Sequence, residues 1–330
     1  METKDTGPKT LLQASRYFAD PDVCLNWIVK ARWPEGVKCP HFASDKVTFL
    51  QKERRWKCYG KHDGLTPQKF SAKVGTIFED SPIGLDKWFV AMWLLGNCKN
   101  GISSYEIARD IKVTQKTAWF MLQRIRLAMQ RGTFDKPMGE GGGEVEADES
   151  LIGGKARNMH KHVRERKIQG TGGVGKELVM GLLDRETGKV RVKHVANRKR
   201  GTLQAEVKAN VAPGARIYTD ELASYTGLEK EYVHEFVNHA ESYVRGNVHT
   251  NRLENFWSLL KRGLKGTYVS VEPFHLHRYL DEQAFRFNER KNDDGDSGRF
   301  AEILDGVTGK RLMYKELTGK VESAPTAATV

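Results

Sequence analysis

The sequence predicts an α/β fold in two parts, and three observations predict it. Residues 82–130 are rich in aromatic side chains and repeat with helical periodicity. From 144 to about 248, β-rich runs alternate with polar turns, and two further helical patterns follow. Between the parts lies "GEGGG" at 139–143, four glycines in five residues, which reads as a flexible link. The expected division is a ribbon-like segment with an N-terminal helix (1–80), a helix-turn-helix region (81–138), the link (139–143), an α/β domain (144–292) and a C-terminal extension (293–330). The last stretch of that extension, "TGKVESAPTAATV", has little to bury.

The 330 residues include 54 Lys+Arg against 42 Asp+Glu, a formal charge of +12, and 39% are hydrophobic. That length supports two domains, and the composition excludes a disordered or membrane-embedded chain. The charge excess points to a polyanionic partner, nucleic acid foremost. Four cysteines (Cys24, Cys39, Cys58, Cys98) lack the spacing of a disulfide framework. The longest apolar run, "WFVAMWLL" at 88–95, is too short to span a bilayer, and the first ten residues hold no apolar core of the signal-peptide kind. The expected location is the cytoplasm, on the nucleoid if DNA is the partner.

Within 102–130, a short helix from about Ser103 to Asp110 turns Ile107 and Ala108 inward, "IKV" makes a turn, and Thr114 can cap a second helix. That helix places Ala118, Met121, Leu122, Ile125 and Met129 on one stripe and leaves Gln115, Lys116, Gln123, Arg124 and Arg126 on other faces. With a supporting helix at 86–97, this is helix-turn-helix spacing, and Gln115, Lys116, Gln123 and Arg124 are the candidate DNA contacts. A plain helical hairpin is the alternative.

Upstream, "RWPEGVKCPHF" (32–42) and "RRWKCYGKHD" (54–63) resemble two knuckles of a zinc ribbon. Tetrahedral zinc wants four thiolate or imidazole ligands, commonly from two Cys-x-x-Cys pairs. Phe42 and Lys61 occupy the second position of each pair, while His41 and His62 lie one residue away. Cys39, His41, Cys58 and His62 make an irregular ligand set, and the expectation is a ribbon that has lost its zinc. Cys24 and Cys98 read as core residues.

In "GEVEADESLIGG" (143–154), alternation sends Glu144, Glu146 and Asp148 to one face and Val145 and Ala147 to the other. "ARIYTDELASY" (215–225) is a short β-branched run ending in Asp220, with Tyr218 on the same face. Both aspartates fall at strand ends, where carboxylates can project into a cleft; turn-forming acids are the bland reading. "HTNRLENFWSLLKRGLKG" (249–266) is a helix with the apolar stripe Leu253, Phe256, Trp257, Leu260 and Leu264. Glu254 and Lys261 share its flank, where Glu254 can reach the sheet; Asn255 and Arg262 lie nearly opposite the stripe, and Asn251 is a weaker candidate. Asp148, Asp220 and Glu254 are hard oxygen donors of the kind Mg²⁺ or Mn²⁺ takes. Two such ions about 3.5–4 Å apart clamp both oxygens of an in-line phosphoryl displacement. Lys261 and Lys265 could then hold a DNA phosphate. From Gly154 through Lys176 there are seven Lys/Arg against a single acid, Glu165. Lys155, Arg157, Lys161, Arg164, Arg166 and Lys167 make this a candidate mobile phosphate-binding loop.

The spacing Asp148–72–Asp220–34–Glu254–7–Lys261 resembles that of the DDE transposases of bacterial insertion sequences. The resemblance narrows to the family with an N-terminal zinc-ribbon-like segment and helix-turn-helix. It is carried by "RWPEGVKCP", "GTIFEDSPIGLDKWFVAMW", "TAWFMLQRIR", "EADESLIGGK", "HTNRLENFWSLLKRGLKGTY" and "RYLDEQAFRFNER", six motifs in order over about residues 15 to 292. It implies an RNase H-like core, a mixed sheet flanked by helices, with Asp148, Asp220 and Glu254 as the metal-binding acids and Lys261 two turns on. Asn251 and Asn255 remain alternatives for the third acid. It also implies Mg²⁺- or Mn²⁺-dependent DNA cleavage and strand transfer at terminal inverted repeats by a dimer or larger assembly. A retired transposase acting as a DNA-binding regulator, or an RNase H-like nuclease that cuts without joining, are the alternatives.

Overall fold

The computed structural model describes residues 7–64, 68–130, 136–154, 160–167, 173–220, 223–237 and 249–319. The chain forms two compact units, one from 1–130 with 291–330 and one from 131–290. Among the described residues, no helix is long and apolar enough to cross a membrane.

In the first unit, α1 (Leu11–Tyr17) and α2 (Pro21–Arg32) precede an antiparallel ribbon of β1 (Val47–Leu50), β2 (Arg55–Cys58) and β3 (Lys69–Phe70). The apolar helix α3 (Leu85–Asn97) follows, then α4 (Ser104–Asp110) and α5 (Gln115–Met129). Ser103 and Glu106 cap the start of α4 reciprocally. The Thr114 side chain accepts the Thr117 N–H at the start of α5, as its position predicts. The stripe from Ala118 to Met129 is buried.

The segment expected as a C-terminal extension belongs to this core. Helix α10 (Gly295–Asp305) packs on α3 and α5, and the Phe300 ring meets Phe18 at 4.9 Å, Phe89 at 5.2 Å and Trp93 at 5.9 Å. The Ile77 N–H donates to the Val307 carbonyl, and α11 (Tyr314–Leu317) ends the described chain.

The second unit is built on β4 (Glu144–Ile152), β5 (Glu177–Asp184), β6 (Val190–Val195), β7 (Arg216–Asp220) and β8 (Val233–Val237), in spatial order β6-β5-β4-β7-β8. Strands β4 to β6 form an antiparallel meander, while β7 and β8 run parallel to β4. Helix α6 (Lys161–Lys167) lies in the basic segment after β4. Val145 and Ala147 face a core shared with Leu203 and Val207 of α7 (Arg200–Asn210). The opposite face packs Ile152, Val179 and Leu183 against Leu253, Phe256 and Trp257 of α8 (Asn251–Gly266) and Leu280 of α9 (Leu276–Asn288). This mixed sheet with helices on both faces is the RNase H-like arrangement that the resemblance implies.

Two expectations are corrected here. Helix α7 stands where only strands and turns were expected, because its inward stripe is as short as Leu203 and Val207. The glycine-rich stretch is not a free link but an ordered turn. Its Gly139 N–H donates to Asp184 Oδ2 at 3.0 Å, and the Gly143 N–H donates to the Gly139 carbonyl at 3.1 Å. Gly139 has φ +69°, and a Cβ there would lie 2.8 Å from Ala215, so glycine is required by both conformation and space.

Candidate active site

Asp148 and Asp220 lie on neighbouring parallel strands. The ladder pairs Glu146 with Tyr218, and two residues further along each strand, on the same face, come Asp148 and Asp220. Helix α8 crosses that face, and its Trp257 Nε1–H donates to Asp148 Oδ2 at 2.9 Å. Close approach of the helix depends on Gly181, the antiparallel partner of Asp148, where a Cβ would stand 2.8 Å from the Trp257 ring. Glu254 is the i−3 neighbour of Trp257 and Lys261 its i+4 neighbour, so the two flank the Asp148 contact.

Electrostatics tie these groups together. Burial pushes the Asp148 carboxyl up to about 6; the charges of Asp220 and Glu254 add to that rise, while bonds from Trp257 and the Glu149 N–H oppose it. Burial, helped by Lys265 and Lys176, holds the Lys261 ammonium below its ordinary value, and Asp148 pulls the other way. Among the described residues, the group of Cys, His, Asp and Glu whose ligand atoms all lie within 4.8 Å is Cys39, Cys58 and His62. Glu254 is exposed on α8, and its charge still reaches Asp148, as does that of Asp220. Like charges brought near one another disfavour ionisation. Asn251 and Asn255 are exposed as well.

What holds α8 in place escaped the sequence reading. Glu146 is fully buried and accepts the Arg252 and Leu253 N–H groups at 3.2 and 3.1 Å, capping the helix from the sheet. Arg185 Nε donates to Glu146 Oε1 at 2.8 Å, and Arg185 Nη2 donates to the His249 carbonyl at 2.6 Å. Arg252 Nη1 returns a bond to the Arg185 carbonyl at 2.6 Å. Glu144, on the same face as predicted, accepts from Tyr218 and Arg185. Glu149 points to the other face, where Tyr225 donates to it. Burial first, opposed by that bond and aided by Asp220 and Asp148, pushes Glu149 up to about 7.

In the ribbon, Cys39 and Cys58 are buried beside His62, both of whose ring nitrogens are buried. Burial alone would raise the Cys58 thiol, but hydrogen bonds with His62, the Gly60 N–H, Ser44 and Cys39 outweigh it and leave the thiol below its ordinary value. His41, expected among the ligands, is exposed and outside this group. Phe42, in the place of a second cysteine, packs on the His62 ring at 4.6 Å.

Two of the four predicted helix-turn-helix contacts are corrected. Gln123 is fully buried, and Arg124 is buried with its guanidinium donating to the carbonyls of Ile77, Glu79 and Leu312. Both are core residues, because a second face of α5 is covered by chain that returns after residue 290. Lys116 is exposed over the Tyr314 ring, and Gln115 bridges to Ser104. On α6, Lys161, Arg164 and Arg166 are exposed; Lys155, Arg157 and the Lys167 side chain lie outside the described residues. Lys265 is exposed beside a groove of about 830 Å³ that Lys261 and Lys176 also line.

Residues 141–288 match the ISXO2-like transposase domain. An uncharacterized protein in the transposable element ISH50 of Halobacterium salinarum is 30% identical over 276 residues, covering 80% of this chain and 89% of that relative. The chain belongs to the ISXO2-like transposase family. Residues 20–60 match the transposase zinc-ribbon domain, which places the Cys39–Cys58–His62 group of this family member inside a recognised ribbon, apart from His62. An uncharacterized transposase-like protein of Haemophilus influenzae is 32% identical over 95 residues, covering 28% of this chain and 76% of its own length. Among solved structures, a simian T-cell lymphotropic virus intasome bound to the PP2A regulatory subunit B56 gamma aligns with TM-score 0.27 at 11% identity, over 54% of this chain and 63% of that one.

Proposed function

We propose that this ISXO2-like transposase cuts and joins DNA at the terminal inverted repeats of its element, with Asp148, Asp220 and Glu254 as the ligands of Mg²⁺ or Mn²⁺. The observation that carries the reading is the position of Asp148 and Asp220 on adjacent parallel strands, each two residues beyond the Glu146–Tyr218 ladder pair, beneath the helix that bears Glu254 and Lys261. The donor set fits such ions: the carboxylates are hard oxygens, and the burial that raises Asp148, together with the charges of Asp220 and Glu254, is a load that a bound cation would relieve. Bound there, a divalent cation would supply positive charge to the phosphoryl oxygens and make the attacking water, and later the 3′-hydroxyl, easier to deprotonate.

The chain's own residues do the rest. Trp257 fixes the Asp148 carboxylate, and Glu146 with Arg185 fixes the end of the helix from which Glu254 and Lys261 project. The Lys261 ammonium holds the scissile phosphate. Water attacks phosphorus, the P–O3′ bond breaks and a 3′-hydroxyl is released; that hydroxyl attacks a target phosphodiester in the same way. Positioning and charge account for both steps. Lys116 and Gln115 contact the inverted repeat, while Lys161, Arg164 and Arg166 hold backbone phosphates. Two ends must be brought together, so the active form is a dimer or larger.

Purified protein with labelled end duplex, Mn²⁺ and a target plasmid is expected to give both nicks and joined products. No cut in any divalent metal would favour the regulator, and cuts without joining the nuclease.

Against the expectation of a lost metal, the ribbon is proposed to hold zinc through Cys39, Cys58 and His62. Protein purified without chelator should contain about one zinc per chain, and His62→Ala should lose it by elemental analysis. A metal-free parent protein would show that the group is only a buried Cys–His cluster.

A further inference from the structure

The turn after α8 holds a residue poorly suited to its backbone. Val269 has φ +61°, a region that β-branched side chains rarely enter, and its flanks form a tight turn in which the Ser270 N–H donates to the Tyr268 carbonyl at 2.6 Å. Yet Val269 is 78% exposed, so no packing of its own side chain offsets the strain. The turn is enforced from outside. The Tyr268 ring stands edge-on to Tyr279 at 4.8 Å, its hydroxyl donates to the buried Glu282, and Glu282 pairs with Arg286. The Tyr268 N–H also donates to the Gly263 carbonyl, tying the turn back to α8. Strain kept by such anchoring, with an apolar side chain thrust into solvent, calls for a ligand.

The ligand's chemistry is set by the surroundings. Val269 lines the same groove as Lys176, Lys261 and Lys265, which outnumber the Glu177 and Glu272 carboxylates there, and the charge of Asp148 reaches Lys261. Three ammonium groups beside a protruding apolar tip suit a DNA backbone with a base step opened beside it; apolar wedges that unstack neighbouring bases are a known means of distorting a duplex. We infer that Val269 is a positioning residue, a wedge that enters the base stack of the element's end next to the phosphodiester presented to Asp148, while Lys176, Lys261 and Lys265 hold the flanking phosphates. The inference rests on the proposed end-cutting activity and adds a distortion step to it.

The test uses the full chain and a duplex carrying the terminal repeat read from DNA bordering the gene, with 2-aminopurine placed in turn at each base around the cut. Val269→Gly accepts the positive φ freely and removes the side chain, so the fold is kept while the wedge is lost. Val269→Ala removes the bulk and keeps the backbone demand. Parent protein should brighten one 2-aminopurine position; both variants should lose that signal and cut the paired duplex about tenfold more slowly. A duplex already mispaired at that step should restore their rate, and Val269→Gly should melt no lower than the parent. Variants that cut paired ends at the parent rate with the fluorescence rise intact would overturn the wedge alone. A parent that cuts neither duplex in Mg²⁺ or Mn²⁺ would overturn the end-cutting reading, and the wedge with it.

Discussion

Asp148→Asn is expected to abolish end cutting and yet melt at a higher temperature than the parent in chelator at pH 8. Burial pushes the folded carboxyl up to about 6 from its ordinary 3.8, so between those values the native state binds more protons than the unfolded one. Stability therefore falls as pH rises from about 4 to about 6, and the deficit, at most roughly 3 kcal/mol, is fully present above that window. Asparagine removes the charge and can still accept the Trp257 N–H through its amide oxygen. It also turns an NH₂ toward the Glu149 N–H, which now donates to Asp148 Oδ1 at 2.8 Å. The net gain should then be about 1–2 kcal/mol, several degrees in a thermal melt. Cutting should drop by about a thousandfold or more, since the proposed role of the residue is to hold a cation where charge develops in the transition state. Adding Mg²⁺ should raise the melting temperature of the parent and not of the variant. A variant that melts lower in chelator, or gains as much from Mg²⁺ as the parent, would show that Asp148 is neither crowded nor a ligand.

Arg185→Ala is expected to cost about 3–5 kcal/mol, because it strands the fully buried Glu146 without its cation. The same change frees the His249 carbonyl and the start of α8, so residual activity should need more Mn²⁺ to saturate. Arg185→Met combined with Glu146→Gln removes both charges and should recover much of the stability by urea titration. It should leave the metal requirement raised, since glutamine caps a helix end without a full charge. If Arg185→Ala unfolds within about 0.5 kcal/mol of the parent, the pair is not what fastens the helix.

These two residues show where sequence reading stops. Alternation along β4 put Glu144, Glu146 and Asp148 on one face correctly, since period-two geometry is local. It gave no sign that Glu146 would receive a helix end while Asp148 received an indole, because the partners sit 106 and 109 residues away. The caps at Ser103 and Thr114 were legible for the same local reason. Arg124 was not. A charged residue beyond the apolar stripe of α5 reads as solvent-facing until the Leu312 carbonyl, 188 residues later, arrives to accept its proton. His62, by contrast, was legible beside Cys39 and Cys58 although it sits one residue off the regular ligand position, and the folded ribbon brings the three together while leaving His41 outside.

Because α10 completes the core around Phe18 and Phe89, the ribbon and helix-turn-helix unit is split by a self-contained insert at 131–290. During synthesis the insert can fold on leaving the ribosome, while the flanking unit waits for the stretch beyond residue 290. A polypeptide broken off early would carry the sheet with its acids but an unfinished first unit. Given the end-binding role proposed for that unit, prematurely ended copies would be poor at finding the element's ends, a safeguard written into chain order.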